Sequence, residues 1–381
     1  MAGDVSTRAR GIESLLAPAD RLRGSLLRAV GPALRPWLVS RERRIALGGA
    51  LLMLVAFAGT LGLPLWYLAL GPIIWGIPHV LSDVRYLVVR PGHHRRPMLV
   101  LLVMAGLVLA GAGLGLRGGL VAVAGALLAA RAPWSRRLAG LALVCGLLGL
   151  AQWAGWVGDL VFAHVHNFVA IFAFWAWRKR DSRLHWLPIS VFLLAALGIS
   201  LGAFDTIFAY TSTLAIPLTT LDVPYFHWTL ATRMPAPFAS RLLLLFAFAQ
   251  AAHYVVWVRL VPEEARPSKT PRSFTQTWRA LRADMGRIVV YALAAGMLAL
   301  AAWAALDLRQ AREGYLRFAF FHGYLELAAF ALLWCERRSL GSVCPQTSTS
   351  EREAPAQTVI VAPGCLPKRK SAPHAPRGAA L

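Results

Sequence analysis

The chain has 381 residues, 57% apolar and 15% charged, with a mean hydropathy of +0.55. Apolar runs that repeatedly exceed about 18 residues exclude a soluble enzyme and indicate an all-α polytopic membrane protein, a bundle of transmembrane helices. The formal charge of +22 does not indicate nucleic acid, because the arginines collect in short connections between apolar runs and in the two terminal arms. That distribution orients a protein in a bilayer and attracts anionic headgroups. Arginine-over-lysine usage and abundant alanine suit a GC-rich bacterial genome, so the expected location is the bacterial inner membrane. Cys145, Cys335, Cys344 and Cys365 form no C-x-x-C pair and suggest neither a disulfide framework nor a zinc site.

Residues 1–44 form a basic arm in which Ile12, Leu15, Leu16, Leu22, Leu26, Leu27, Val30 and Leu34 approximate helical spacing, with Pro18, Gly31, Pro32 and Pro36 expected as breaks. The arm reads as an amphipathic segment on the cytoplasmic surface, with a solvated linker helix as the alternative. It is too polar, and the first apolar run too distant, for a cleaved signal peptide. Ten spans follow, at 45–62, 65–89, 98–116, 119–132, 138–156, 159–177, 187–204, 239–258, 287–306 and 314–335, making 45–335 one transmembrane domain. Residues 336–381, rich in Pro, Ser, Thr and Arg, read as a disordered tail.

With both termini cytoplasmic, the inward connections hold most of the basic residues, among them Arg90, Arg95 and Arg96, Arg131, Arg136 and Arg137, and the group from Arg259 to Arg287. The outward connections hold few, such as Arg117, Arg233, Arg309 and Arg312. This alternation follows the positive-inside rule, and it fails if the short fourth span is removed.

Four of the ten histidines lie well inside spans: His79, His166 or its neighbour His164, His253 and His322. At about 1.5 Å per residue their depths bracket the midplane of a core about 30 Å thick, on four helices that enter from the same side. His79 is followed by Asp83 and His322 by Glu326, each pair one helical turn apart on one face. Ionisable side chains at such depth are costly and point to function. For Asp83 the alternative is a simple pair with Arg85. His164 and His166 are about 200° apart on a helix, so only one of them faces a shared site. Gln250, His253 and Trp257 share a face, where Gln250 could orient the imidazole and Trp257 wall an apolar pocket. A connection over 205–237, rich in Pro and aromatics, suggests a cap on the bundle with His227 over a cavity mouth, or an ordinary aromatic belt.

Imidazoles backed by carboxylates fit iron, copper or zinc, and a membrane-buried iron suits oxygen chemistry on a lipophilic molecule. The expected metal set is His79, His166, His253 and His322, supported by Asp83, Glu326, Gln250 and His164. The Gly-x-Pro-His-x-x-x-Asp element from Gly76 to Asp83 is similar to one in the Brp/Blh family of bacterial membrane carotenoid dioxygenases. That resemblance implies a helical membrane fold, non-haem iron with His79 among its ligands, and cleavage of beta-carotene to retinal. No later His-x-x-x-His pair accompanies it, so the resemblance leaves the other ligands unassigned. The expectation is a metal-dependent oxidoreductase acting on a carotenoid, isoprenoid or other lipid. Two rivals remain: a haem-binding electron carrier with His79 and His253 as axial ligands, and a proton-coupled transporter using Asp83, Glu326 and the histidines as a relay.

Overall fold

Backbone groups in hydrocarbon have no water to bond, so each apolar run must satisfy its own N–H and C=O groups as helix. The structure, a computed structural model, describes residues 5–176, 183–214, 216, 219–266 and 272–337, and among them every regular element is helical. In chain order these are α1 (Val5–Val39), α2 (Arg41–Gly62), α3 (Pro64–Asp83), α4 (Pro97–Leu109), α5 (Gly115–Leu128), α6 (Trp134–Ala154), α7 (Trp156–Ala176) and α8 (Trp186–Ser200). Two short helices, α9 (Asp205–Thr211) and α10 (Val223–Leu230), lead to α11 (Ala236–Val255) and α12 (Val261–Glu264). The series ends with α13 (Phe274–Met285), α14 (Arg287–Leu306), α15 (Leu308–Ala319) and α16 (Phe321–Glu336). The tail expected over 336–381 lies, from 338 onward, outside the described residues.

Among the described residues, nine continuous helices are long and apolar enough to cross a membrane. One of them, Pro97–Leu128, doubles back on itself. Gly113 has φ 102° and Gly115 φ 49°, values that a side chain would disfavour. The two arms, α4 and α5, then lie so close that a Cβ on Gly106 would strike the backbone of Ala122, one on Gly118 that of Ala110, and one on Gly125 the carbonyl of Leu102. As the position rises on one arm it falls on the other, so the arms are antiparallel. They correspond to the expected spans 98–116 and 119–132, so the described residues hold ten apolar helical arms on nine continuous helices. The short fourth of these is the arm α5.

The helix α11 is the most enclosed of the spans and α14 the least. Around α11 the main core gathers Leu68, Phe174, Phe192, Phe248 and Trp257, all buried. A second core joins the α4–α5 hairpin to α16 through Leu120, Ala126 and Tyr324. Ion pairs fasten one end of the bundle. Glu263 takes Arg44 at 2.9 Å and Arg266 at 2.7 Å, Asp284 takes Arg85 at 2.6 Å and Arg90 at 2.9 Å, and Glu336 takes Arg96 at 2.8 Å. Basic residues that the sequence assigns to one face of the membrane thus sit together.

The N-terminal arm differs from expectation. Its backbone is one helix through Pro18, Gly31, Pro32 and Pro36. A proline removes one helical hydrogen bond, and here tertiary contacts hold the helix from outside. The Asp20 carboxylate accepts from the backbone N–H of Phe274 at 2.6 Å and of Thr275 at 3.1 Å, adding to the Ser273 cap at the start of α13. Glu13 pairs with Arg279 at 2.5 Å.

The hairpin contacts generate a test. Replacing Gly106 with Val should destabilise the detergent-solubilised protein by about 1–3 kcal/mol or more, read as a lower melting temperature, because the added atoms have only backbone to displace. Gly146, which has open space around its Cα, should accept Val with little change; equal shifts at the two positions would mean that the arms are not packed as described.

Candidate metal site within the bundle

Two pairs of site residues owe their alignment to helix geometry alone. On α3, His79 and Asp83 are one turn apart, with His79 Nε2 3.3 Å from Asp83 Oδ2. On α16, His322 and Glu326 repeat the spacing. The other helices bring their donors to the same point: His253 from α11 places its Nε2 2.6 Å from that of His79 and 3.3 Å from Glu326 Oε1. Glu326 Oε1 is also 3.8 Å from His79 Nε2. Donor atoms of His79, His253 and His322 lie within 4.8 Å of one another, as do those of His79, Asp83 and Glu326. His166, from α7, completes the group at slightly longer range, with ring centroids 5.4 Å from His253 and 5.5 Å from His322.

Small residues permit this convergence. Gly76 lies against the ring of Tyr315, where a Cβ would clash, and a Cβ on Gly323 would sit 3.3 Å from His166 Cδ2. Pro78 inside α3 leaves a carbonyl one turn earlier without its helical donor. Two of the site-bearing helices change pitch immediately afterwards: α3 continues as a π-helix over Val84–Val89, and α11 over Val256–Leu260. Such widened turns re-aim side chains and recur at functional sites.

The tautomers follow from the partners. A carbonyl oxygen only accepts, so His166 Nδ1, 2.9 Å from the Ala163 carbonyl, carries the proton, and His322 Nδ1 donates likewise to Ala319. In the neutral ring the lone pair then falls on Nε2, the form in which imidazole binds a metal.

His79, Asp83, His253 and Glu326 are all at most 1% exposed. Both oxygens of Asp83 and of Glu326, and Nδ1 of His79 and of His253, are buried without a hydrogen-bond partner. A buried polar atom left unsatisfied costs about 1–3 kcal/mol, more when charged, so this concentration requires a compensating group. Four imidazoles and two carboxylates suit a divalent cation, whose two charges would offset those of the carboxylates. The oxygens face the Nε2 atoms rather than the Nδ1 atoms, so Asp83 and Glu326 stand on the side of the potential ligands and not behind the rings.

Asp83 is not occupied by Arg85, whose guanidinium pairs with Asp284 instead. Gln250 does not orient His253: its Oε1 lies toward Gly71, 3.8 Å from where a Cβ would stand, and His253 Nδ1 has no partner. Trp257 is fully buried in the main core, and its carbonyl accepts from Ser82 Oγ at 2.5 Å; the π-helical turn that begins at Val256 lies between it and His253. His164 points away from the cluster, bonding the Leu160 carbonyl at 3.0 Å and meeting the ring of Phe246 at 5.1 Å. His227 lies in a separate basin lined by Trp156, Trp228 and Arg233, with its Nε2 3.4 Å from Ser240 Oγ.

Three neighbours not anticipated from sequence flank the site. The Tyr254 ring stands 5.4 Å from His79, and Tyr315 packs on Gly76. Arg312, 4% exposed, donates to the Leu68 carbonyl at 2.9 Å and lies over the Phe226 ring. The signals were available, since Tyr254 adjoins His253 and Tyr315 and Arg312 lie about two and three turns before His322, but aromatic and basic residues near span ends have an ordinary interfacial reading.

Fold and site together define an integral membrane helical protein with a buried histidine and carboxylate cluster. No family model, curated protein or solved structure matches the chain.

If a cation balances the cluster, its removal should be felt by the whole bundle. Chelation of the purified protein should cost about 3–4 kcal/mol of stability at ligand concentrations 100 to 1,000 times the dissociation constant, seen as a lowered melting temperature restored by added metal. The double variant Asp83→Asn, Glu326→Gln should lose this response; an unchanged response in it would remove the carboxylates from the site.

Proposed function

We propose that the chain is a membrane metalloenzyme in which His79, His166, His253 and His322, with Asp83 and Glu326, hold a non-haem iron that acts on a lipophilic substrate drawn from the bilayer. The observation that carries this reading is the convergence of imidazole and carboxylate donors from four helices on one point, where His79, His253, Asp83 and Glu326 are buried and His166 and His322 partly so. Mixed nitrogen and oxygen donors match the ligand preferences of iron in oxygenases better than thiolate-rich or all-oxygen sets would. Bound iron would supply the redox chemistry for using dioxygen against an unreactive carotenoid, isoprenoid or lipid chain.

The chain's own residues have separable roles. The backbone carbonyls of Ala163 and Ala319 fix the tautomers of His166 and His322. Asp83 and Glu326 set the local charge, and Tyr254 and Tyr315 close one side of the site with aromatic surface that excludes water.

Haem fits the same residues less well. Axial ligands must stand on opposite sides of a porphyrin plane, whereas His322, Asp83 and Glu326 crowd the point where His79 and His253 meet, in the space that plane would need.

Elemental analysis and an absorption spectrum of detergent-purified protein test the reading. Stoichiometric iron without a Soret band is the expected result, with iron lost in His79→Ala and His322→Ala but kept in His164→Ala. A Soret band, or metal retained equally by all three variants, would overturn it.

A further inference from the structure

On the flank of α16 turned away from Glu326, an apolar groove of about 450 Å³ runs between α16, the π-helical end of α3 and the outer face of α4. Its walls are mostly Leu, Val, Met, Phe and Ala side chains, with the buried His93 just before α4, and they extend from Leu99 to Gly111 just past the end of α4, roughly 18 Å at helical rise. Exposed Met104, Val108 and Phe318 edge it, so it opens sideways toward lipid rather than to either end of the bundle. A volume of this size is that of a site for one small molecule.

Two basic side chains interrupt the apolar lining: His93, buried and bonded through Nδ1 to the Leu87 carbonyl at 2.9 Å, and Arg317. Arg317 borders the groove, with its side chain exposed, roughly 14 Å along the helix from Leu308. Glu313, one turn before it, is engaged by Arg309 at 3.0 Å and by the Tyr225 hydroxyl at 3.0 Å, and Arg317 acts on it only as a weaker, unbonded charge. A guanidinium at this depth, with its local acid hydrogen-bonded by Arg309 and Tyr225 and only shared with it, is complementary to an anionic head that descends below the level of the phosphates.

From this pairing of a long apolar channel with one guanidinium near its end, we infer that the groove binds a single-chain lipid carboxylate, a long-chain fatty acid, with its head on Arg317 and its chain laid along α4. A bilayer phospholipid is a poorer match, because its phosphate is tied to a second chain and to the interface. The inference does not depend on the metal reading, since none of the metal donors lines the groove.

The test is photolabelling of the full-length protein in phosphatidylcholine nanodiscs with a palmitic acid that carries a diazirine in its chain, followed by mapping of the labelled peptides. Label should concentrate on the α4 segment around Met104 and Val108 and on 318–332, and unlabelled oleate should displace it. Arg317→Gln should weaken the acid's binding by at least about tenfold, as loss of a charge-assisted hydrogen bond implies, while labelling by the matching fatty alcohol stays unchanged. Val108→Trp, on an exposed groove wall, should block both probes. Label spread evenly over the spans, equal labelling by the acid in wild type and Arg317→Gln, or displacement by phosphatidylglycerol as effective as by oleate would overturn the inference. Metal content measured on the same samples keeps this outcome separate from that of the metal site.

Discussion

Two carboxylates, Asp83 and Glu326, are buried within a few ångströms of each other and of His79 in the middle of a helix bundle. In a medium of low dielectric neither can carry charge without a partner, and the nearest guanidinium in sequence, that of Arg85, is turned toward Asp284. The remaining neighbours are imidazoles, which can supply protons or lone pairs. With protons, the cluster becomes a set of buried ion pairs, each still short of hydrogen bonds. With lone pairs at Nε2, it becomes a cation site that uses the carboxylate oxygens, with Nδ1 of His79 and of His253 still without partners. With Nδ1 of His166 and of His322 committed to carbonyls, Nε2 is the nitrogen of each neutral ring that carries the lone pair.

That requirement explains features of the bundle that apolar packing alone would not. Helices in lipid associate through close contact rather than through the hydrophobic effect, so small residues decide how near two backbones come. Here Gly76 admits Tyr315 and Gly323 admits His166, both beside the cluster. The π-helical turns after Asp83 and after Val255 serve the same end: they let α3 and α11 present site residues in one register and core residues such as Trp257 in another. The ion pairs of Glu263, Asp284 and Glu336 hold the helix ends at one side of the bundle, where solvation makes charge affordable.

Much of this was legible in the residues, for a definite reason. Hydrophobic runs mark spans because lipid permits little else, and an i, i+4 pair such as His79 and Asp83 marks a face because helix geometry is invariant. What depended on tertiary contacts was not legible. Spacing alone could not choose between His164 and His166; the choice lies in how α7 rotates against Gly323. The helical phase that grouped Gln250, His253 and Trp257 assumed a uniform pitch, which the π-helical turn breaks. The prolines of α1 read as breaks because the capping carboxylate of Asp20 meets α13 more than 250 positions away in sequence. The hairpin at Gly113 was visible as two apolar runs, yet only the contacts of Gly106, Gly118 and Gly125 show that its arms touch.

The helix α16 serves two environments at once. Its His322 and Glu326 face a polar point that must be kept from water, while Phe321, Leu325 and Leu332 face a groove open to lipid. Successive residues of a helix are separated by about 100°, so chemically opposite surfaces can alternate along a single sequence with no residue shared. The glycine at position 323, between these faces, keeps the helix close to His166, and Tyr324 on the next step is buried against Gly119 of the hairpin. A bulky side chain at Gly323 would push α7 outward and carry His166 with it, leaving the groove face untouched. The geometry of the cluster and the shape of the lipid-facing surface are therefore set by different residues of one helix and can vary independently.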